Sequence, residues 1–354
     1  MNKSFYAVKN KNDKIRLKSS SGGVFYNLAL YVLKNGGVVY GAVYDSNCNI
    51  IHKRIDRIED ICLMQGSKYS NSNLTAVFNQ LKIDSQNNIR VLFSGTPCQI
   101  MIVKKVLDKY NIDNFLFVDV ICHGTPSKKF YDDYKKMMEK KFNSQIVNIN
   151  MRYKNKKDFD KNLKFINPNY NEMIGNHTML LTFANGKQYL MPSNLDVFYL
   201  NFDYFISKGC FECKYSNMKR ISDITIGDFH QFKCNLGTFN DCNGISVVIL
   251  NSKQGHEVFN HIKREFEYLK KNEYEIYQPA LYSPTLKPKK YDEFQKDYEN
   301  YGFEFIIKKY TPINLKYKIK IFLYKVGLYE MLRNLKLQKN IKIKWKERKN
   351  ENKN

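Results

Sequence analysis

Between residues 38 and 142 the chain alternates short β-branched and aromatic runs with longer amphipathic ones, and this rhythm restricts the fold more than any other feature. Strands are predicted over 38–44, 90–94 and 115–121, and helices over 99–110 and 128–142. A further helix is predicted over 24–34, because Asn35-Gly36-Gly37 is a strong stop and Ser19-Ser20-Ser21-Gly22-Gly23 a suitable start. Strands separated by helices must be joined by crossovers, so the expected fold class is α/β, a mixed sheet flanked by helices.

Beyond this unit, residues 153–176 are Lys- and Asn-rich and read as an exposed insertion. A hairpin is predicted over 178–191, turning at Asn185-Gly186. Next come a helix over 194–207, strands over 221–226 and 245–250, and a helix over 255–270 that carries His256 and His261. After about residue 281 the pattern becomes Lys- and Tyr-rich helical segments. There is no internal repeat.

With 354 residues, 43% of them hydrophobic, the chain has ample material for a core. Its formal net charge of +24 would suit a nucleic-acid binder, but Lys and Asn are enriched along the whole chain. No nucleic-acid partner is therefore expected. Residues 315–354 are different, with thirteen Lys and Arg against three Glu. This basic helical tail suits either a solvated appendage or peripheral contact with an acidic surface such as a membrane.

The first residues lack the apolar core of a secretory signal, and nowhere do about 18 apolar residues run together. A cytoplasmic protein is expected. In a reducing compartment eight Cys do not suggest a disulfide framework, so a clustered subset is read first as metal-binding or catalytic.

Four Cys stand in distinctive settings: Cys98 in Gly95-Thr96-Pro97-Cys98-Gln99, Cys122 in Ile121-Cys122-His123-Gly124, and the pair in Cys210-Phe211-Glu212-Cys213. Cys98 and Cys122 each follow a predicted strand, and the ends of parallel strands share one edge of an α/β sheet. A CxxC loop folded over that edge would complete four thiolates. That count suits a 4Fe-4S cluster, one thiolate per iron, and also suits structural zinc in a non-catalytic scaffold, although zinc sites usually bring two close pairs. A third reading makes Cys98 the nucleophile of a hydrolase, with His123 as base and Asp119 or Asp228 orienting it. It leaves the CxxC without a task. Asp228 and His230 are candidate acid–base residues. Cys48, Cys62, Cys234 and Cys242 have no such context and are read as ordinary buried thiols.

The Ser-Ser-Ser-Gly-Gly loop ahead of a helix offers hydroxyls, backbone N–H groups and the positive end of the helix dipole, which suit either capping or a phosphate. No GxGxxG follows a strand and opens a helix, so a Rossmann dinucleotide site is not supported.

Taken in order, Ser-Ser-Ser-Gly-Gly-Val-Phe at 19–25, Gly-Ser-Lys-Tyr at 66–69, Phe-Ser-Gly-Thr-Pro-Cys-Gln at 93–99, Cys-His-Gly at 122–124, the CxxC at 210–213 and Ser-Asp-Ile-Thr-Ile-Gly-Asp-Phe at 222–229 resemble one family. It is the beta-subunit family of coenzyme F420 hydrogenases and dehydrogenases. The resemblance runs from about residue 5 to about residue 270. It implies an α/β fold with an N-terminal region at 1–85, a C-terminal iron–sulfur and flavin region at 86–280, and the basic tail at 281–354. It implies an oxidoreductase that binds FAD beside a 4Fe-4S cluster. Matched by motif, Cys98, Cys122, Cys210 and Cys213 would be the cluster ligands. Ser20, Ser21, Gly22 and Gly23, with Lys68, Thr96, Gln99 and His123, would surround the flavin and its phosphates.

Two departures stand out. Many relatives begin with a ferredoxin-like segment rich in CxxCxxC motifs, whereas this chain starts at a Tyr-Ala-Val strand. Its electrons are therefore expected to pass to or from an external carrier, such as ferredoxin or a partner subunit. Relatives often carry Trp where this chain has His230, so the shape of the nearby site differs. The two-electron partner would be coenzyme F420 or another small molecule.

Overall fold

The alternating apolar runs become strands buried on both faces. The computed structural model describes residues 2–154, 177–230, 233–234, 236–241 and 243–328. Among them the strands are β1 (Ser4–Asn10), β2 (Val38–Tyr44), β3 (Ile50–Ile55), β4 (Val91–Gly95), β5 (Phe115–Val120), β6 (Ile146–Tyr153), β7 (Thr178–Phe183), β8 (Gln188–Pro192), β9 (Ile224–Asp228), β10 (Ser246–Leu250) and β11 (Phe266–Lys271). The helices are α1 (Asp13–Lys18), α2 (Val24–Lys34), α3 (Ile61–Met64), α4 (Phe78–Gln86), α5 (Pro97–Val106), α6 (Lys128–Phe142), α7 (Val197–Leu200), α8 (Phe202–Phe205), α9 (Lys253–Ile262), α10 (Tyr291–Tyr301), α11 (Phe303–Tyr310) and α12 (Leu315–Lys325).

Eight strands form one sheet in the order β11-β1-β10-β9-β5-β4-β2-β3. Strands β2, β4, β5 and β9 are parallel neighbours, while β3, β10, β1 and β11 join by antiparallel pairing. The sheet is mixed and flanked by helices, so the fold is α/β as predicted. Alternation along the strands divides the core. Leu92, Leu116, Val118 and Ile224 meet α2 and α9 on one face, whereas Val91, Phe93, Phe115 and Phe117 meet α4 and α5 on the other. Residues 1–85 and 86–280 contribute strands to this same sheet, with β1 lying between β10 and β11.

A second core gathers the three-stranded antiparallel sheet β6-β7-β8 with α6, α8, α10 and α11. Phe130 stacks on Phe205 at 4.8 Å, and Tyr204 on Phe294 at the same separation.

Predicted helices 24–34 and 128–142 and strand 38–44 have the expected bounds. Two predicted helices differ. The one over 255–270 ends at Ile262, and residues 266–271 pair with β1 instead, because a tertiary partner overrides the local period. The one over 194–207 breaks at Asn201, whose side-chain amide donates to the Val197 carbonyl and to Thr311. Strands β3 and β6 and helix α4 are elements that the sequence reading does not predict. Most of the predicted insertion, 155–176, and the tail 329–354 lie outside the described residues, as does Cys242.

Candidate functional site

Strands β4, β5 and β9 run parallel, so the turns that follow them open on one edge of the sheet. After β4, Pro97 takes the first position of α5, where its missing N–H costs nothing. The Thr96 N–H donates to Gln99 Oε1 at 3.0 Å and holds the turn closed. Cys98 thereby stands on the first turn of α5, its Sγ 3.1 Å from Thr96 Oγ1.

After β5, Cys122 accepts the Gly124 N–H at 3.4 Å. Gly124 has φ of 106°, in the region that favours glycine, and a Cβ there would meet Ile206 at 2.9 Å. This close approach brings the CxxC segment onto the same edge. Three backbone contacts fix it: Ser127 N–H to the Phe205 carbonyl at 2.9 Å, Ser207 N–H to the Thr125 carbonyl at 3.0 Å, and Cys210 N–H to the Ser207 carbonyl at 2.8 Å. Phe211 packs edge-on against Tyr291 at 4.8 Å.

The four predicted thiols are thus brought into one neighbourhood from three separate parts of the chain. Desolvation of its sulfur pushes the Cys98 thiol up even though the residue is exposed, and the nearby Cys213 and Cys210 thiols push it further. Burial drives Cys122 to about 12, with Cys98, Cys210 and Cys213 all adding to the effect. Among the described residues no three or more Cys, His, Asp or Glu side chains close around the position of a single ion.

Beside Cys122 lies a cavity of about 1020 Å³. Its walls include Ser20, Ser21, Gly23, Lys68, Thr96, Gln99 and His123, which brings together seven of the eight residues placed around a flavin by sequence resemblance. Gly22 is the exception. A Cβ there would strike the Val8 carbonyl at 2.3 Å, and its N–H donates to Ser246 Oγ at 3.0 Å, so Gly22 packs against the sheet and does not line the cavity. Gly23, with φ of 82°, turns the chain into α2 and aims that helix's N-terminus at the cavity.

Several of these groups are already engaged. Ser20 Oγ accepts from Ser67 N–H at 2.6 Å, and Ser21 Oγ donates to the Ile245 carbonyl at 2.7 Å. The Gln99 amide donates to Ser72 Oγ, which pairs with His52 Nδ1, and His52 Nε2 faces the Ser94 carbonyl at 3.0 Å. Burial pushes His52 down to about 4, so it is neutral. Lys68 Nζ donates to the Gln65 and Gly66 carbonyls at 3.1 Å, and burial pushes it down to about 7. Among the described residues no carboxylate pairs with it.

Two wall residues, Arg152 at the end of β6 and His177, were missed because they flank the stretch read as an insertion. Arg152 pairs with Asp228. Burial alone would raise Asp228, but that guanidinium holds it below the usual carboxylate range. Burial and then Arg152 drive His177 down to about 3. The alternating Ile-Val-Asn-Ile-Asn-Met-Arg run was the available signal for Arg152.

The arrangement does not assemble a nucleophile with its base and orienter. His123 Nε2 faces Gln278 Oε1 at 3.3 Å, Asp119 is committed to Arg220, and Asp228 to Arg152. His230 lines the cavity. His261 stacks on Tyr31 at 5.5 Å, away from the cavity. Cys48 is buried, Cys62 is exposed, and Cys234 is half-buried beside Lys271 and Glu275.

Residues 89–275 match the family model for the C terminus of the coenzyme F420 hydrogenase/dehydrogenase beta subunit. Among solved structures, the chain is similar to a chain of the xenon-derivatised F420-reducing NiFe hydrogenase complex from Methanosarcina barkeri. The identity is 17%, the match covers 76% of this chain and 81% of that one, and the TM-score is 0.49. No curated protein matches. Because the family model spans more than half of its length, this chain belongs to the coenzyme F420 hydrogenase/dehydrogenase beta-subunit family.

Proposed function

We propose that the protein is an iron–sulfur flavoprotein oxidoreductase. It passes electrons between a two-electron donor or acceptor, FAD, a 4Fe-4S cluster and an external one-electron carrier. The observation that carries this reading is the meeting of Cys98, Cys122, Cys210 and Cys213 beside a cavity walled by Ser20, Ser21, Gly23 and Lys68. Four thiolates from two single Cys and one CxxC pair match the one-thiolate-per-iron donor set of a 4Fe-4S cluster, whereas structural zinc sites usually bring two close pairs.

The cavity also fits a large anionic cofactor. The N-terminus of α2 and the uncompensated Lys68 offer positive potential, and an anion bound there would favour the charged form of Lys68. Bound together, a flavin and a cluster convert between two-electron and one-electron transfer. The chain's own residues do the rest. Cys122 touches both the cavity and the thiol group, so a flavin and a cluster held there would lie side by side. The Gln99–Ser72–His52–Ser94 chain holds the β4 turn rigid beneath Thr96. Gly22 keeps the serine loop tight against β1 and β10. Arg152, with Asp228, gives the cavity a fixed hydrogen-bonding face beside Ser21. The two-electron partner is coenzyme F420 or another small molecule. The one-electron partner is a separate carrier such as ferredoxin or a partner subunit.

The test is the ultraviolet–visible spectrum of anaerobically purified protein before and after dithionite, with iron, sulfide, flavin and zinc assayed on the same sample. Broad brown absorbance with flavin bands, bleached by reductant, is expected. A colourless protein carrying stoichiometric zinc would overturn the reading.

A further inference from the structure

Among the described residues, helix α12 (Leu315–Lys325) packs on the body through Tyr317, Ile321, Leu323 and Tyr324. Tyr317 Oη donates to the Leu195 carbonyl at 2.8 Å, and Ile321 and Tyr324 pack with Met191 and Leu195. At 3.6 residues per turn, Tyr317, Ile321 and Tyr324 share one face. The opposite face carries Leu315, Ile319, Phe322 and Val326, spaced four, three and four residues apart, so they form a straight apolar stripe. All four are exposed, at 73%, 50%, 63% and 48%. Lys318 and Lys325 border the stripe on one flank and Lys316 and Lys320 on the other, and residues 311–328 contain no Asp or Glu.

We propose that this outward stripe seats the protein on an anionic membrane surface, with α12 parallel to the bilayer plane. The apolar side chains would enter the boundary between headgroups and acyl chains, and the flanking lysines would extend to the lipid phosphates. Among the described residues no helix is long and apolar enough to cross a membrane, so the mode is lying on it. Two other occupants fit less well. A nucleic acid would use the lysines but leave the stripe uncovered. A second copy of the chain would cover the stripe while opposing two sets of four lysines with no acidic residue between them. Residues 329–354 continue the charge, with nine Lys and Arg against three Glu.

The proposal is independent of the cofactor reading. It is tested on the full-length protein by co-sedimentation with phosphatidylcholine vesicles, with and without about one-third phosphatidylglycerol, at low and high salt. Wild type should sediment with the anionic vesicles only, and high salt should weaken that. The double variant Ile319→Glu, Phe322→Glu should lose on the order of tenfold in vesicle binding while its melting temperature is unchanged, since both positions are exposed. The variant Lys316→Gln, Lys318→Gln, Lys320→Gln, Lys325→Gln should also bind more weakly. No sedimentation of wild type would overturn the proposal, as would equal binding by the stripe variant. So would a wild-type dimer that the stripe variant converts to monomer without any vesicle binding, or RNA binding that ignores the stripe.

Discussion

Gly124 faces Cys210 so closely that a Cβ added to the glycine would stand 3.4 Å from the Cys210 Cβ, with Ile206 nearer still at 2.9 Å. The absence of a side chain here lets the Cys122 turn lie directly against Ile206 and the CxxC segment. At φ of 106° an L side chain is strained in any case, at roughly 1–3 kcal/mol. Gly124→Ala should therefore lower the melting temperature by several degrees and reduce the iron bound per chain. Both are read by thermal unfolding and metal analysis of one preparation. A variant with unchanged iron content would show that the close approach is not needed for the site.

Cys210→Ala and Cys122→Ala should each abolish stoichiometric iron and sulfide. Cys48→Ala, which alters a buried core thiol, should leave metal content intact. Iron and sulfide assays after anaerobic purification distinguish the two groups, and full iron in Cys210→Ala would remove that residue from the ligand set.

Arg220 reaches back from beyond the CxxC to Asp119 on β5, and both side chains are almost fully buried. Its guanidinium also donates to the Tyr215 and Asn217 carbonyls, so it ties the loop after Cys213 to the sheet. Arg220→Met would strand a buried carboxylate, at about 3–5 kcal/mol. Equilibrium denaturation should show that loss. Asp119→Asn should also be destabilising, because it leaves the buried Arg220 guanidinium without its carboxylate.

The pH dependence of folding should carry a His52 signature. Its folded value of about 4 lies below the ~6.5 of an exposed histidine, so between those values the unfolded chain binds the extra proton. Stability contributed here is complete above pH ~6.5 and is lost as pH falls toward 4. Urea unfolding from pH 7 to pH 4 should show this slope, and His52→Phe, which keeps the ring stacked on Phe93, should flatten it.

The amino-acid sequence by itself determined the alternation of strands and helices, because side-chain period and Gly or Pro punctuation act over a few residues. Helices 24–34 and 128–142 and strand 38–44 needed nothing more. It also singled out the four cysteines, since each sits in a turn whose local chemistry is distinctive. Residues 266–271 show where locality ends. Their helical period gave way to pairing with β1, a partner some 260 positions away in the chain. Only the tertiary structure could place Gly22 beneath the cavity and not in its wall, because a contact with the Val8 carbonyl depends on how β1 lies against β10. The same holds for Arg152 and Asp228, which come together from two different sheets. Periodicity is a property of neighbours in sequence, whereas a buried ion pair and a glycine contact are set by the packing of elements that the sequence pattern does not order in space.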